Sequence, residues 1–401
     1  MVLLANHIDC TGCASCFNIC PHSAITMRDD KEGFLQPFID SDKCVECQLC
    51  QKKCPVINPF IMEEKERLVY AVISKKDRSI SSSGGAFSFF ARWILDQGGI
   101  VYGATMSGDR NVKHIGVDKV EDLYQLRGSK YVQSKIGYTY RDAKKHLLQN
   151  EKVLFTGTPC QIAGLYSYLG KKYDGLLLTL DLVCHGVPSP LSFESYILKL
   201  EKEHPKYGKI QDFRFRKLDS WSLLTTAKFE NTKWKMLNES DNVYMSSFFH
   251  GWTFRECCFR CQYANLYRMG NCTIADFWGI GKYGIPYKKN VSSGVSLVID
   301  NSGLLKKNLS ILQEYAYIEQ RTINEALHEN LNLKAPFLRE PQRDSALNDL
   351  IDPSYSLKMY ARKYGLLPVK NLRYYIQKVV KNLVYSLGLY NIYKTIIYKI
   401  K

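Results

Sequence analysis

The chain has 401 residues and a formal net charge of +16 at pH 7. That length allows a short N-terminal module followed by a core of one large or two ordinary domains. The charge is uneven: ten basic residues and no acidic residue lie between Pro353 and Lys401, while the preceding residues carry only +6. The basic signal therefore belongs mainly to the tail, and it does not predict a nucleic-acid-binding protein.

The N-terminal segment, residues 1–60, contains one cysteine pattern twice. The spacing C-x2-C-x2-C-x3-C-P starts at Cys10 and recurs at Cys44. Three closely spaced thiolates can bind one 4Fe–4S cluster, and the fourth cysteine, before the proline, then reaches the other cluster. Residues 1–60 thus resemble a bacterial-type two-cluster ferredoxin, an α+β module. The predicted ligands are Cys10, Cys13, Cys16 and Cys54 for one cluster and Cys20, Cys44, Cys47 and Cys50 for the other.

Zinc and disulfides are the alternatives for these eight cysteines. Structural zinc usually takes two separated C-x2-C pairs, and an even number of cysteines also permits disulfides. A doubled motif of this kind has few other uses, so we favour iron–sulfur clusters. The N-terminus lacks the basic region of a signal peptide, no apolar run reaches about 18 residues, and cluster ligands must stay reduced. We therefore predict a cytoplasmic protein.

Strand-like and helix-like segments alternate after a charged connector at 63–67. Such alternation favours an α/β domain with a mixed sheet, which we assign to residues 67–345. Three consecutive strand-like segments from about residue 210 indicate an antiparallel addition to this domain. The predicted strands are 68–74, 99–106, 152–157, 176–183, 212–217, 225–230, 233–237, 273–278 and 295–300, and the predicted helices are 84–97, 139–150 and 161–170.

The segment SSSGGAF, residues 81–87, precedes one of the predicted helices. Its small side chains let a phosphate approach backbone N–H groups at the helix N-terminus, where the helix dipole favours an anion. Serine also caps helices routinely. The segment alone therefore does not separate phosphate binding from helix capping.

Four further cysteines form a candidate third metal site. Cys160 and Cys184 each follow an apolar predicted strand, and ligands of open α/β sheets bind at the carboxyl ends of strands. Cys258 and Cys261 form a C-x2-C pair. Four thiolates suit a third 4Fe–4S cluster, with zinc as the alternative, and a lone cysteine at any of these places is more often a small buried hydrophobe. Two more cysteines, Cys257 and Cys272, are interpreted as structural or incidental.

Five motifs together resemble the coenzyme F-420 hydrogenase/dehydrogenase beta-subunit family. The likeness runs from about Leu68 to about Asn301, and a ferredoxin segment ahead of such a domain is an arrangement known in bacterial relatives. Asn271 and Cys272 depart from the family pattern, in which an acidic and an aliphatic residue are expected. The motifs are SSSGGAF, RGSKYVQS (127–134), GTPCQIAG, VCHGVPSP, and the C-x2-C pair followed by IADFWG.

The resemblance implies a protein that binds FAD and a 4Fe–4S cluster. It implies that Cys160, Cys184, Cys258 and Cys261 bind the cluster of this domain. It also implies that the serine–glycine loop and the 127–134 segment hold the flavin. The cofactor-binding candidates are Ser81, Ser82, Ser83, Gly84, Gly85, Ser129, Lys130, Tyr131 and Ser134.

The catalytic residues are not identified by the sequence, and three side chains are weak candidates. Lys130 either faces a flavin phosphate or a reduced anionic ring, or lies on the surface. His185 either transfers a proton near the cofactors or is a hydrogen-bonded structural histidine. Asp276 either acts as an acid or caps a turn.

Residues 353–401 are predicted to form a basic amphipathic helical tail. Its apolar positions recur at helical spacing and alternate with lysine and arginine, as in helices that lie on an anionic membrane surface. Packing of the same stripe against the main domain is the equal alternative. The stripe comprises Leu372, Ile376, Val379, Val380, Leu383 and Leu387, with Lys370, Arg373, Lys378 and Lys381 between them.

These features together predict an iron–sulfur flavoprotein oxidoreductase. Electrons would pass between the ferredoxin clusters, a third cluster and a flavin, and then to or from a small organic substrate such as a sugar derivative. A redox partner protein or a diffusible reductant would exchange electrons with the clusters. The main alternative is an electron-relay subunit that has no substrate site and docks on a partner enzyme. A weaker alternative is a cluster-bearing structural protein of surface-polysaccharide assembly.

Overall fold

The computed structural model describes residues 2–61, 66–106, 110–171, 173–218, 221–367 and 383–384. The helices in these ranges are α1 Ser15–Ile19, α2 Leu49–Lys52, α3 Ala86–Leu95, α4 Thr139–Leu148, α5 Pro159–Leu169, α6 Pro190–Glu203, α7 Val243–Phe249, α8 Leu304–Lys307, α9 Leu309–Tyr315, α10 Ile323–Glu329, α11 Arg343–Ile351 and α12 Leu357–Lys363. The strands are β1 Ile25–Asp29, β2 Leu35–Ile39, β3 Leu68–Ser74, β4 Ile100–Met106, β5 Val112–Val117, β6 Val153–Gly157, β7 Leu177–Leu182, β8 Ile210–Arg214, β9 Thr226–Phe229, β10 Trp234–Met236, β11 Cys272–Asp276, β12 Ser296–Asp300 and β13 Ala316–Arg321.

The main domain is built on a mixed sheet with the strand order β13-β3-β12-β11-β7-β6-β4-β5. Strands β4, β6, β7 and β11 are mutually parallel, whereas β12 and β5 run antiparallel to their neighbours. The mixed α/β sheet predicted from the alternating pattern is thus present. The predicted antiparallel addition forms a separate three-stranded sheet of β8, β9 and β10.

Helices cover both faces of the main sheet. Helix α3 packs on one face, where Phe89 and Phe90 are fully buried against the strands. Helices α4 and α5 cover the other face through residues such as Tyr140 and Leu165. Each such large apolar side chain contributes about 1.5–3 kcal/mol on burial. The sheet is therefore held rigidly between two helical layers, and the ends of its strands have fixed positions.

Local sequence explains the start and end of α5. Thr158 and Gln161 form a capping box, in which each side chain accepts a hydrogen bond from the other residue's backbone N–H. Pro159 occupies the first helical position, where its missing N–H costs nothing. Gly170 ends the helix with a φ of 68°. The helix consequently begins directly after β6, at the carboxyl edge of the sheet.

The N-terminal segment repeats its backbone as well as its cysteines. Ala14 and Gln48 precede α1 and α2 with φ values of 61° and 60°, and Gly12 and Glu46 also have positive φ. The two members of each pair occupy equivalent positions in the two cysteine motifs. Non-glycine residues rarely adopt this conformation, and successive turns of this kind direct backbone N–H groups toward an anion. The repeated geometry is therefore suited to two equivalent anionic groups.

Ion pairs and close backbone contacts attach the N-terminal segment to the main domain. Arg343 is buried and binds both carboxylate oxygens of Glu32 at 2.7 and 2.8 Å. Arg255, also buried, donates hydrogen bonds to the backbone oxygens of Cys10 (2.6 Å) and Leu35 (3.1 Å). Removing either arginine would leave partly buried acceptors without these partners and would weaken the attachment of the segment.

The first part of the predicted tail belongs to the folded domain. Helix α12 buries Leu357, Tyr360 and Ala361 in the same core as α6 and α7. The predicted amphipathic stripe that follows lies outside the described residues except for Leu383, and its role remains a prediction. In the described part of the chain no helix has the length and apolar character needed to cross a membrane.

Candidate functional site

The predicted site residues converge on one edge of the main sheet. Strand β3 runs in the same direction as β6, β7 and β11, because two antiparallel pairings separate it from β11. The carboxyl ends of these strands lead respectively to the serine–glycine loop, Cys160, Cys184 and Asp276. The convergence expected from the topological rule for α/β sheets is therefore observed for these four positions.

A cleft of about 380 Å³ opens at this edge. Eight of the nine cofactor-binding candidates line it, together with Cys184, His185, Asp276 and Trp278. The exception is Gly84, which lies beneath the loop: a Cβ there would come within 2.2 Å of the backbone oxygen of Val72. The lining candidates are Ser81, Ser82, Ser83, Gly85, Ser129, Lys130, Tyr131 and Ser134.

Hydrogen bonds fix the serine loop at the N-terminus of α3. Ser81 Oγ donates to the oxygen of Asp77 at 2.7 Å, and Ser83 Oγ donates to the oxygen of Val295 at 3.1 Å. Ser82 Oγ accepts from the backbone N–H of Ser129 at 3.3 Å, which joins the two predicted cofactor segments. None of the three serine side chains caps α3; Gly85, with a φ of 85°, is the N-cap residue. The capping alternative thus does not account for the serines.

Two arginines share one buried carboxylate next to the loop. Asp77 is fully buried and binds Arg92 at 2.5 Å and Arg127 at 2.8 Å. Arg127 also lines the cleft, and burial lowers its pKa. Because one aspartate faces two guanidinium groups, this end of the cleft keeps a positive charge that favours an anionic ligand.

The ammonium group of Lys130 is engaged by the backbone. Its Nζ donates to the oxygens of Leu126 (2.9 Å), Arg127 (2.7 Å) and Gln125 (3.4 Å). Burial lowers the pKa of Lys130 to about 7. The lysine is therefore not a surface residue, and its three donors hold the loop that borders the cleft.

The other two catalytic candidates differ from each other in their contacts. Asp276 binds Arg216 through both oxygens (2.6 and 3.3 Å) and accepts from Trp221 Nε1 at 2.7 Å, so its carboxylate is fully engaged. His185 has no hydrogen-bond partner among the residues that the structure describes. Burial lowers its pKa, a shift that Asp276 partly offsets, so the imidazole is neutral at pH 7. His185 is consequently better suited to contact a ligand than Asp276.

A buried histidine that the sequence analysis did not single out organises the floor of the cleft. His114 Nε2 donates to the oxygen of Thr156 at 2.9 Å, and its Nδ1 therefore accepts from Ser134 Oγ at 3.0 Å. Gln161 Nε2 donates to the same Ser134 oxygen at 3.0 Å. This network joins β5, the 127–134 segment and the first turn of α5, which contains Cys160.

The lowered pKa of His114 predicts that the free energy of unfolding falls as the solution becomes acidic. Burial penalises the imidazolium and lowers this pKa to about 4, against about 6.5 in an unfolded chain. The neutral form therefore stabilises the fold above pH 6.5, and this stabilisation is lost as the pH falls toward 4. Between pH 7 and 5.5 the wild type should lose about 1 kcal/mol of unfolding free energy that a His114→Gln variant does not lose. Urea unfolding of both proteins at the two pH values measures this, and equal losses would contradict it.

The third set of cysteines gathers at the inner end of the cleft. Burial raises the pKa of the Cys184 thiol, and the nearby Cys160 and Cys261 thiols raise it further. Cys258 Sγ accepts from the backbone N–H of Val187 at 3.5 Å, close to Cys184 in the chain. Buried thiols this close together ionise only if a cation neutralises them, as a metal cluster does. Cys160, Cys184 and Cys261 thus fit three thiolates of a cluster, and Cys258 is connected to them only through its contact with Val187.

The eight N-terminal cysteines separate into the two predicted sets. Burial raises the pKa of Cys16, and Cys13, Cys10 and Cys54 raise it further as neighbours. The other set, Cys20, Cys44, Cys47 and Cys50, lines one small cavity. In the described ranges no three His, Cys, Asp or Glu side chains converge as a site for a single metal ion. Four thiolates around a single zinc ion would lie about 2.3 Å from one point, so zinc and an iron–sulfur cluster differ in the size of the group that each set would surround.

The first N-terminal set lies directly against the third set. A Cβ on Gly164 in α5 would come within 2.9 Å of Cys13 Cβ and 3.1 Å of Cys13 Sγ. Cys160 is one turn earlier in α5, and Cys13 is among the neighbours that raise its pKa. Cys257, interpreted from the sequence as incidental, neighbours both Cys10 and Cys160. Cys272 is buried in β11, away from both sets.

The cysteine sets and the α/β cleft define the chain as an iron–sulfur protein of the redox class. Residues 150–326 match the family described as the C terminus of the beta subunit of coenzyme F420 hydrogenase/dehydrogenase, and residues 9–58 match the 4Fe-4S dicluster domain. The family resemblance predicted from the sequence is therefore confirmed. The two matched ranges follow each other along the chain in the order predicted from the sequence.

Two curated relatives are redox proteins. The chain is 24% identical over 189 residues to the F subunit of the F(420)H(2) dehydrogenase of Methanosarcina mazei, across 44% of this chain and 54% of the relative. It is 27% identical over 201 residues to the coenzyme F420-dependent sulfite reductase of Methanocaldococcus jannaschii, across 48% of this chain and 30% of the relative. The chain thus spans about half or less of the length of these relatives.

A chain of the F420-reducing nickel–iron hydrogenase complex from Methanosarcina barkeri is a similar solved structure. The sequence identity is 15% and the TM-score 0.43, with coverage of 76% of this chain and 94% of the other.

Proposed function

We propose that the chain is an iron–sulfur flavoprotein oxidoreductase. Cys160, Cys184, Cys258 and Cys261 would hold a third cluster beside the two of the dicluster segment, and the cleft would hold a flavin; together these groups would supply electron transfer through the chain. The observation that supports this most strongly is the position of Cys184, which neighbours other thiols of its set and also lines the cleft. A cluster held by these thiols would therefore lie beside a cofactor held in the cleft, and no mobile carrier would be needed between them.

The size, charge and lining of the cleft fit a flavin. Its volume lies within the usual range of about 300–1,000 Å³ for ligand sites. The serine loop and Arg127 offer small side chains and positive charge to a diphosphate, while Tyr131 and Trp278 offer aromatic surface to a ring. When bound, a flavin supplies the conversion between single electrons and a hydride. The residues of the chain bind and orient it and limit the access of water.

His185 is the residue we assign to proton transfer. Its neutral imidazole lines the cleft next to Cys184 and has no competing hydrogen bond from the described residues. A neutral imidazole offers one ring nitrogen as an acceptor and the other N–H as a donor. Asp276 is left with a supporting role, since Arg216 and Trp221 occupy its oxygens.

Coenzyme F420 is a second candidate for the cleft. Both curated relatives carry this deazaflavin coenzyme in their names, and neither name mentions FAD. A deazaflavin has a similar ring but exchanges hydride rather than single electrons, so it would need a flavin between itself and the clusters. Extraction of the native cofactor, followed by absorbance and mass measurements, distinguishes the two.

An electron-relay subunit is the alternative function, and one observation favours it. The relative from Methanosarcina mazei is itself a subunit of a dehydrogenase. In that case the chain would pass electrons to a partner enzyme and would lack a substrate of its own. The nature of the organic substrate, including a sugar-derived one, stays a prediction from the sequence.

Anaerobic purification of the full chain tests the proposal. Three 4Fe–4S clusters correspond to about twelve irons per chain, and we expect one flavin with them. Stoichiometric zinc in place of iron, or clusters without any flavin, would contradict the proposal. Reduction of artificial acceptors alone, with every tested organic substrate inactive, would favour the relay alternative.

Blocking the cleft at the serine loop should remove the flavin. Ser82→Leu places a larger side chain in the cleft and ends the contact of Ser82 Oγ with the Ser129 N–H. We expect this variant to lose most of its flavin and to keep its iron. Ser82→Ala, which leaves the space open, is the matched control and should keep both. Absorbance near the flavin band and iron analysis measure the result, and a Ser82→Leu protein with normal flavin would place the cofactor elsewhere.

A further inference from the structure

Arg255 is a buried cation without a carboxylate partner. It is only 2% exposed, and it forms no ion pair with a carboxylate in the ranges that the structure describes. Its side chain donates to three neutral oxygens, which are the backbone oxygens of Cys10 (2.6 Å) and Leu35 (3.1 Å) and the side-chain oxygen of Gln133 (3.1 Å). A buried charge is costly unless an opposite charge compensates it, so an anion is expected beside this guanidinium.

The backbone of Arg255 has a fixed position. Its N–H donates to the oxygen of Val187 at 3.0 Å, and its own oxygen accepts from the N–H of Cys258 at 2.9 Å. Gln133, which accepts from the guanidinium, is itself buried and donates to the oxygen of Thr11 at 3.1 Å. The charge is therefore held in one place at the boundary between the N-terminal segment and the main domain.

The first N-terminal cysteine set provides a place for the missing anion. Arg255 contacts Cys10 directly, and burial raises the pKa of the Cys10 thiol, a shift that Arg255 partly offsets. The hydroxyl of the next residue, Thr11, is buried and has no hydrogen-bond partner among the described residues. An iron–sulfur cluster on four thiolates is an anion, so it would compensate the guanidinium and could accept a hydrogen bond from the hydroxyl. The set comprises Cys10, Cys13, Cys16 and Cys54.

Gly12 allows the guanidinium to approach the cysteine loop. A Cβ at this position would lie 2.8 Å from Nη1 of Arg255 and 2.8 Å from Nε2 of Gln133. The equivalent residue of the second cysteine motif is Glu46, which has a similar backbone conformation, with a φ of 52° against 66° for Gly12. The turn itself therefore tolerates a side chain, and the glycine is required by the close contact with Arg255 and Gln133.

The second N-terminal set lies in a different electrostatic environment. Among the described residues, no arginine or lysine lines the small cavity around this set. Cys47 is exposed to solvent, and a glutamate occupies the position equivalent to Gly12. The potential of a cluster depends on nearby charge, hydrogen bonds and solvent exposure. Two clusters with the same ligand spacing are therefore expected to differ in potential. The set comprises Cys20, Cys44, Cys47 and Cys50.

We propose that Arg255 is the buried counter-charge that sets the reduction potential of the first N-terminal cluster. One electron makes such a cluster more negative by one charge, and no bond forms or breaks and no proton moves. Burial alone opposes this added charge, whereas the guanidinium stabilises it. The assignment deepens the proposed function, on whose dicluster segment it rests. Arg255 favours the electron on the set that lies against Cys160, and thus on the side of the third set.

A potentiometric titration of the anaerobically purified full chain, followed by electron paramagnetic resonance, tests this role. At the potential that half-reduces the first cluster in the wild type, Arg255→Gln should lower its ratio of reduced to oxidised form about tenfold, because a charge inside the protein is lost. The signal of the second cluster should keep its potential. Arg255→Lys retains the charge and should restore most of the ratio. Arg28→Gln, which removes an exposed arginine of the same segment, is the matched control and should shift neither cluster.

Two results would overturn the assignment. One is an unchanged potential of both N-terminal clusters in Arg255→Gln, and the other is an equal shift in Arg255→Gln and Arg255→Lys, which would mean that lost hydrogen bonds rather than lost charge are responsible. Should Arg255→Gln lose its iron, Gln133→Glu decides, because it keeps the guanidinium and places a carboxylate beside it; this variant should also lower the ratio, and an unchanged ratio overturns the assignment.

The iron content of the wild type separates this test from that of the proposed function. Wild-type protein with its iron in place and an Arg255→Gln variant with unchanged potentials contradict only the role of Arg255. Wild-type protein that holds zinc instead of iron contradicts both the role of Arg255 and the proposed function.

Discussion

Cys184→Ser is expected to remove about four of about twelve irons and to abolish reduction of the flavin by the dicluster segment. Cys184 neighbours Cys160 and Cys261 and lines the cleft, so in the proposed function it lies between the third cluster and the cofactor. Substitution of Cys184 gives a clearer result than substitution of Cys258, because the adjacent Cys257 offers a replacement thiol after loss of Cys258. The flavin should still bind, since the serine loop is unaffected.

Iron analysis and stopped-flow reduction measure this result. The matched control is Cys257→Ser, which changes a neighbouring thiol outside the assigned set and should keep about twelve irons and normal flavin reduction. The third cluster would be refuted by a Cys184→Ser protein with unchanged iron. A Cys257→Ser protein that loses iron would instead move the fourth ligand from Cys258 to Cys257.

Gly164→Val should slow electron transfer between the dicluster segment and the proposed third cluster, while the iron content stays normal. The Cβ would lie 2.9 Å from Cys13 Cβ and 2.9 Å from the Tyr140 hydroxyl, and both are closer than real side chains approach. Overpacking of this kind typically costs about 1–3 kcal/mol, and part of the strain is relieved when Cys13 moves away from α5. Electron tunnelling falls steeply with distance, so reduction of the flavin through the dicluster segment should slow while iron and flavin contents stay normal.

Ser167→Ala is the control for this prediction. Ser167 lies on the same helix one turn later and donates to the backbone oxygen of Lys53, so its loss weakens the same contact without pushing the segment away. We expect little change in the rate of flavin reduction. A Gly164→Val protein that reduces its flavin at the wild-type rate would show that electrons do not pass between Cys13 and Cys160.

The spacing of apolar residues along the sequence predicts several of the observed strands and helices. The apolar run at 68–74 coincides with β3, and the helix predicted at 161–170 begins slightly earlier in the structure, at Pro159. The three antiparallel strands after residue 210 are also present. Strand β13, whose sequence AYIEQR is half polar, is not predicted because it lies at the sheet edge and needs only one buried face. Helix α6 was missed although Ser189 and Pro190 supply an N-cap and a first-turn proline.

The site could be predicted where chemistry depends on residue type and order, as with the cysteines and the serine loop. It could not be predicted where a role depends on three-dimensional neighbours. One sequence feature could have identified His114: it is a histidine on the buried side of an alternating strand. No sequence feature identifies the role of Arg255, because its partners Cys10 and Leu35 lie 245 and 220 positions away along the chain. Asp276 drew attention through its motif, yet Arg216 and Trp221 engage both its oxygens.

The ion pair between Glu32 and Arg343 joins residues that are 311 positions apart. At synthesis rates of about 5–20 residues per second, roughly 15–60 s separate the appearance of the two side chains. During that interval the ion pair cannot form, so this anchor between the N-terminal segment and the main domain is completed only when almost the whole domain has been synthesised. The attachment is therefore a late step of synthesis, and a chain that stops before Arg343 would lack it.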